Sequence, residues 1–427
     1  MNAFFSLAYE GAARVAHALS SVAPRSRNKL VATFAERRDI VARYTAFPRD
    51  DTRQLLWMHA PSVGEGLQAR PILQIARTRR PDLQLAYTYF SPSARAFASS
   101  LDVDFRAPLP FDATPDMRAA LAALAPDALV FSKLDVWPTL AREASRRGTR
   151  LGLVSATLAR SSSRRSPLAS SLLRDAYARL ERVGAISADD ADRLVSLGVP
   201  SSRVSVTGDT RYDQVWARAE AVDRHGALLD PLARPERFTL VAGSTWPADD
   251  AQLLPAWSRL ARLYPARRPR IIIAPHEPTP AHLAPVARWA STEGLRASRL
   301  SEPDASDADV IIVDRVGVLG DLYALADVAF VGGGFHAAGL HSVLEPAAFG
   351  APVLFGPRHH ASRDATLLLD ADAAMSANDD AALAHVLDQW IIDAAARRAV
   401  GDAAKAVVHR GLGAAQRSWD LVRALLE

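Results

Sequence analysis

The residues best placed to do chemistry lie in the run VGGGFHAAGLHSVLEPAAFGAPVLFGP, residues 331–357. Three consecutive glycines, Gly332, Gly333 and Gly334, follow an apolar stretch and let the backbone turn sharply and approach a ligand closely. A helix starting near His341 would aim its N-terminal amides at the same place, a setting suited to phosphate. Glu345, about one turn into that helix, can accept hydrogen bonds from a ribose diol. Glycines alone would mark only a tight strand-to-helix turn. The length of the run, with Ser342 inside it and Gly356 and Pro357 closing it, favours a nucleotide site instead.

A second constellation stands in the first half, in HAPSVGEG (residues 59–66). Ser62 is expected to cap the helix that follows, and Gly64 leaves room for a ligand. Glu65 falls in the first turn, where a carboxylate usually serves the helix dipole but can also act as a general base towards a hydroxyl. In FSKLDVWP (131–138), Lys133 is one of only three lysines, with Lys29 and Lys405, in a chain of 51 basic residues. An ammonium at the end of an apolar strand suits a carboxylate or phosphate ligand, unless Lys133 simply neutralises Asp135. Trp137 and Pro138 are read as packing and turn geometry. Arg211, in TGDTRYD (207–213), offers a second cation, with Asp213 as an alternative partner.

In the second half, Ser244 and Thr245 of AGSTWP (242–247) bring hydroxyls suited to phosphate, although a routine helix cap competes with that reading. Pro275 and His276 of APHEP (274–278) sit where the imidazole can stack on a base. The adjacent His359 and His360 diverge and have no carboxylate at ligand spacing, so no metal is assigned.

These residues need elements to carry them. Apolar runs at 55–60, 83–90, 127–131, 150–156, 183–188 and 203–208, then at 239–244, 270–275, 310–314, 327–333 and 352–356, alternate with helical stretches. That rhythm predicts α/β architecture with parallel sheets. A length of 427 residues calls for more than one core. The expectation is therefore two doubly wound, Rossmann-like domains facing a central cleft, with ligands beyond the carboxyl ends of the strands. The expected boundaries are an N-terminal amphipathic segment at 1–46, a first domain at 47–215, a linker at 216–237 ending in LLDPLARPER, and a second domain at 238–427.

Composition narrows the function classes. The chain has no cysteine, which excludes disulfides and cysteine-ligated metal centres. Its net charge of +4 is too diffuse to argue for nucleic acid, and no nucleic-acid recognition motif is present. Phe4, Phe5, Ala8, Ala12, Val15, Leu19 and Val22 recur at near-helical spacing, too interrupted to span a bilayer. Arg25, Arg27, Lys29, Arg37, Arg38 and Arg43 follow, the pattern of a helix lying on an anionic membrane face, although a helix packed on its own domain is the competing reading.

HAPSVGE, FSKLDVWP, TGDTRYD, AGSTWP, APHEP and GGGFHAAGLHSVLEPAAFGAPVLFGP occur in an order that resembles the 3-deoxy-D-manno-octulosonic acid (Kdo) transferases of lipopolysaccharide synthesis, over about residues 50 to 370. The resemblance implies a GT-B fold with an acceptor-binding first domain and a donor-binding second one. It also implies CMP-Kdo as donor, a lipid A precursor (lipid IVA) as acceptor, inversion at the anomeric carbon and no metal or other cofactor. It places the base on Glu65 and assigns Lys133 and Arg211 to the Kdo carboxylate and acceptor phosphates. The implied CMP site comprises Ser244, His276, Gly332, Gly333, Gly334, Ser342, Glu345, Gly356 and Pro357. The location implied is peripheral, on the cytoplasmic face of the inner membrane. Two departures stand out. Lys133-Leu134-Asp135-Val136 replaces the family's frequent Glu-Thr-Glu-Leu, and His341-Ser342 replaces its His-Asn. Another GT-B nucleotide-sugar transferase or epimerase, or a non-catalytic binding protein of that fold, stays open as an alternative.

Overall fold

The structure, a computed structural model, describes residues 3–24, 26, 28–159, 162, 164 and 166–427. The chain divides into two compact units: Met1–Gln214 with Leu412–Glu427, and Val215–Gly411.

The first unit is built on a seven-stranded parallel sheet of β1 (Leu55–His59), β2 (Gln84–Tyr89), β3 (Phe105–Pro108), β4 (Ala128–Ser132), β5 (Arg150–Ala156), β6 (Arg182–Ala185) and β7 (Val204–Val206), in the order β3-β2-β1-β4-β5-β6-β7. The second sheet holds β8 (Thr239–Thr245), β9 (Arg270–Pro275), β10 (Ala297–Arg299), β11 (Val310–Ile312), β12 (Val328–Val331), β13 (Val353–Phe355) and β14 (Ala374–Ser376), ordered β10-β11-β9-β8-β12-β13-β14. All the pairings are parallel. Helices cover both faces, which is why the strands read as unbroken apolar runs. Leu55 and Trp57 enter one core of the first unit while Leu56 and Met58 enter the other. Ile271 and Ile273 divide from Ile272 in the same way in the second. The chain order reverses between β1 and β4 and again between β8 and β12, which opens a crevice at the carboxyl end of each sheet.

The sequence reading missed β3, β10 and β14. Each is an edge strand of three or four residues carrying an arginine or serine, too short for a periodic signal. The boundaries also differ. The stretch read as a linker packs within the second unit, with Leu229 and Leu232 buried and the Leu232 carbonyl accepting from Arg270 Nη1 at 2.7 Å. The last helix, Ala414–Arg423, joins the first unit. Its Trp419 and Val422, with Leu425 and Leu426 beyond it, pack in the core of Leu56 and Met58, each worth about 1.5–3 kcal/mol on the scale of a fully buried apolar side chain. Asp213 tethers its start by accepting from the Gly413 and Ala415 amides at 2.7 and 2.9 Å.

The N-terminal helix Ala3–Val22 lies against the first unit by its polar side. Tyr9 donates to Asp112 at 2.9 Å, Glu10 accepts from the Thr114 amide and hydroxyl, and His17 meets Asp116 at 2.7 Å. Ala8, Ala12, Val15 and Leu19 stay exposed. The expected basic flank is only partly superficial. Arg37 is buried and donates to the carbonyls of Leu109, Thr33 and Phe90, and burial pushes its pKa down to about 10. Arg25 and Arg27 lie outside the described residues.

Candidate functional site

At the crevice of the first unit, β1 ends in His59 and the chain turns through Ser62 into the helix Val63–Arg79. Ser62 does not cap that helix, contrary to expectation. Its hydroxyl donates to Oε2 of Glu65 instead, three residues on. Lys133, in the turn after β4, donates from Nζ to Oε1 of the same carboxylate at 3.2 Å. Ser132 Oγ anchors the Glu65 carbonyl at 3.0 Å. Burial pushes the Glu65 pKa up, but the Ser62 hydroxyl and the Lys133 ammonium outweigh it and hold the carboxyl below its ordinary value. At neutral pH the group is therefore a carboxylate. A Cβ at Gly64 would meet only Ser62 Oγ, at an ordinary contact distance of 3.8 Å.

Lys133 adopts a left-handed backbone (φ 68°), a conformation that costs a non-glycine residue roughly 1–3 kcal/mol and collects at functional sites. Its partner is Glu65 and not Asp135, which pairs with Arg164 and whose pKa burial raises. Arg211 pairs with Asp209, Nη2 to Oδ2 at 2.7 Å, and not with Asp213. Asp209 and Thr210 meet Gln68 on the helix that carries Glu65, which seats Arg211 beside that helix.

Trp137 does more than pack. Its indole donates to Nε2 of the buried His59 at 2.9 Å, while Nδ1 of that imidazole meets Thr88 Oγ1, also at 2.9 Å. Burial drives the His59 pKa down to about 3, so the ring is neutral and ties the end of β1 to the turn after β4. Only an aromatic-to-imidazole pairing across 78 residues would have revealed this.

The second unit is organised differently. Gly332, Gly333 and Gly334 follow β12 as expected, but each is required by neighbouring backbone. A Cβ would stand 2.3 Å from the Ser244 carbonyl oxygen at Gly332, 2.1 Å from that of Gly339 at Gly333, where φ is 90°, and 2.4 Å from the Gly356 nitrogen at Gly334. Gly356 is confined in return by Gly334 and Phe335, and Arg358, just after Pro357, donates its amide to Gly334. The expected helix at His341 is displaced. His341 and Ser342 belong to a loop, and a helix of five residues begins at Leu344 because Pro346 suits only a first turn. Glu345 lies in that turn, where burial raises its pKa against the opposing pull of Arg218.

Four rings gather at the ends of β8, β9 and β12. Trp246 stacks on His336 (centroids 4.4 Å apart, planes at 8°) and on His276 (4.5 Å, 26°), and His276 stacks on His341 (4.6 Å, 25°). The Trp246 indole also donates to His341 Nε2 at 3.1 Å, and burial lowers the His341 pKa. His276 is exposed in the turn after Pro275, and its amide donates to the Thr245 carbonyl at 2.9 Å. Ser244 is left-handed (φ 55°), whereas Thr245 is buried. The sequence reading missed Asp249, which is buried and accepts from three backbone amides. Trp246 and Gly333 donate to Oδ2 at 2.9 and 2.7 Å, and Phe335 donates to Oδ1 at 3.0 Å. Asp249 stands three residues after Trp246, whose side chain is not a capping one, so the Ser/Thr-x-x-Glu signature of a capping box is absent and nothing local marks it.

Residues 33–214 match the family model described as 3-Deoxy-D-manno-octulosonic-acid transferase (kdotransferase). A 3-deoxy-D-manno-octulosonic acid transferase of Bordetella pertussis is 31% identical over 375 residues, covering 86% of each chain. One from Haemophilus influenzae is 26% identical over 414 residues, 96% of this chain and 94% of that one. In fold, the chain is similar to a UDP-GlcNAc 2-epimerase from Neisseria meningitidis, with a TM-score of 0.63 at 15% identity over 87% of this chain and 99% of the other. The paired seven-stranded sheets are thus of the GT-B kind, and the chain belongs to the 3-deoxy-D-manno-octulosonic acid transferase family.

Proposed function

We propose that this protein transfers Kdo from CMP-Kdo to a lipid A precursor, with inversion and without a metal ion, in lipopolysaccharide synthesis. The observation that carries the reading is the ionised Glu65, clamped between Ser62 and Lys133 in the first turn of a helix at the crevice of a parallel sheet. In this mechanism the carboxylate takes the proton of an acceptor hydroxyl. The freed oxygen bonds to the anomeric carbon of Kdo from the face opposite CMP, and the bond from that carbon to the phosphate oxygen breaks with its electrons on CMP. Lys133 and Arg211 supply cationic charge for the Kdo carboxylate or acceptor phosphates. An anion drawing Lys133 away would also remove one restraint on the Glu65 pKa, so the base would strengthen as substrate arrives. In the second unit, the ring group of Trp246, His276, His336 and His341 suits a nucleobase, and Ser244, Glu345 and the turn of Gly332, Gly333 and Gly334 suit the rest of CMP.

We further infer a peripheral seat on the cytoplasmic face of the inner membrane. Val15 and Leu19 on the first helix and Leu30 on the next are 61%, 50% and 69% exposed, while Tyr9, Glu10 and His17 hold the opposite side to the protein. No helix among the described residues is long and apolar enough to cross a membrane.

The test is incubation of the purified protein with CMP-Kdo and tetra-acylated lipid A precursor, following CMP release and the mass of the lipid. Addition of whole Kdo units by the wild type, lost in Glu65→Gln, is expected. No lipid product, with CMP-Kdo hydrolysis at the blank rate, would overturn the reading. Turnover of a UDP-sugar in its place would move the chain to another GT-B activity.

A further inference from the structure

Asp249 is acidic, buried and surrounded by backbone donors, an arrangement that a helix cap alone does not require. An ordinary cap in the same unit shows the contrast. Asp393 is exposed and accepts only from the Ala395 and Ala396 amides of its own helix, both at 2.9 Å. Asp249 accepts locally from the Trp246 amide, but its other bonds reach across more than 80 residues to Gly333 and Phe335 in the turn after β12. One carboxylate thereby joins the loop after β8 to the loop after β12. Those two loops carry Trp246 and His336, whose rings stack nearly parallel at 4.4 Å, and His341, which accepts from the Trp246 indole.

We propose that Asp249 is a positioning residue for nucleotide binding: it registers the glycine turn and His336 against Trp246 and so sets the affinity of the second unit for CMP. This role rests on the reading of that unit as the donor side. A carboxylate suits the position because each oxygen is acceptor-only and three N–H groups converge on it. An asparagine must turn its own amide N–H₂ against at least one of these donors.

The experiment compares wild type, Asp249→Asn, Asp249→Glu and, as a control for loss of a cap, Asp393→Asn. CMP binding is measured by calorimetry, KM and kcat with CMP-Kdo by initial rates, and the environment of the tryptophans by near-ultraviolet circular dichroism. Asp249→Asn is expected to weaken CMP and raise KM for CMP-Kdo about tenfold or more, with kcat much less changed and an altered tryptophan signal. Asp249→Glu, which keeps the carboxylate, recovers part of the affinity, and it carries the test if the asparagine variant does not fold. Asp393→Asn keeps wild-type CMP binding. Wild-type affinity in folded Asp249→Asn, or affinity loss of the same size in Asp393→Asn, overturns the role. A wild-type protein that binds no CMP overturns the donor reading itself and this role with it.

Discussion

The crevices of the two units make an instructive pair. They lie at equivalent places, the reversal of strand order between β1 and β4 and between β8 and β12, yet they are furnished from different materials. The first collects charged side chains: Glu65 against Lys133, Asp135 against Arg164 and Arg211 against Asp209. The second collects backbone and rings, with glycines beside which neighbouring main chain leaves no room for a Cβ and one buried carboxylate bonded to their turn. On the proposed mechanism the first site takes up a proton and so needs groups whose charge can change, whereas the second recognises a flat base and a phosphate and so needs fixed donors and faces. One topology can carry both because the loops are free to differ while the sheets are not.

The largest effect expected from breaking this contrast is at Glu65. Glu65→Gln keeps the shape and removes the proton acceptor, so kcat for Kdo transfer should fall by about 10²–10⁴ while the melting temperature stays close to wild type. Equal activity in the variant would remove Glu65 from the chemistry.

Glycine substitutions separate the crevices next. Gly333→Ala places a Cβ on the Gly339 carbonyl at a positive φ and should destabilise the second unit by roughly 1–3 kcal/mol, read as a lowered unfolding midpoint. Gly64→Ala, whose Cβ would make only an ordinary contact at a helix start, should leave stability unchanged or raise it by up to about 1 kcal/mol. Equal costs at both would mean that the second crevice is not the more tightly packed one.

Lys133→Met tests the electrostatics. The carboxyl of Glu65 is held down by Ser62 and by the Lys133 ammonium, against burial. Removing the ammonium must raise the Glu65 pKa. In the proposed mechanism the ionised form is the active one, so the acid limb of the pH–rate profile should move to higher pH. An unmoved limb would mean that Lys133 does not tune the base.

The smallest effect is at the surface of the first helix. Val15→Glu with Leu19→Glu should reduce co-sedimentation with vesicles of anionic lipid several-fold and leave turnover of a detergent-dispersed acceptor unchanged. Unaltered sedimentation would remove this face from membrane contact.

Much of the frame was legible from the chain alone. Strands buried on both faces must be continuously apolar, so β1, β2, β4, β5, β8, β9 and β12 announce themselves, and residues placed just after them fall at the crevices without further information. Edge strands such as β10 and β14 did not, because a three-residue element leaves no period to read. Which charged groups pair was equally hidden. Lys133 stands two residues from Asp135 yet meets Glu65, 68 positions away, and Arg211 chooses Asp209 over Asp213. Residue types and their order along the chain determined the fold class and the family, and put the candidate residues just after the strands. Only the tertiary structure decided the partners of each charge, the stacking of Trp246 on His336 and the reach of Asp249 across to the glycine turn. Such contacts depend on where separate strands end in space, and that follows from the packing of the whole sheet, not from any local pattern.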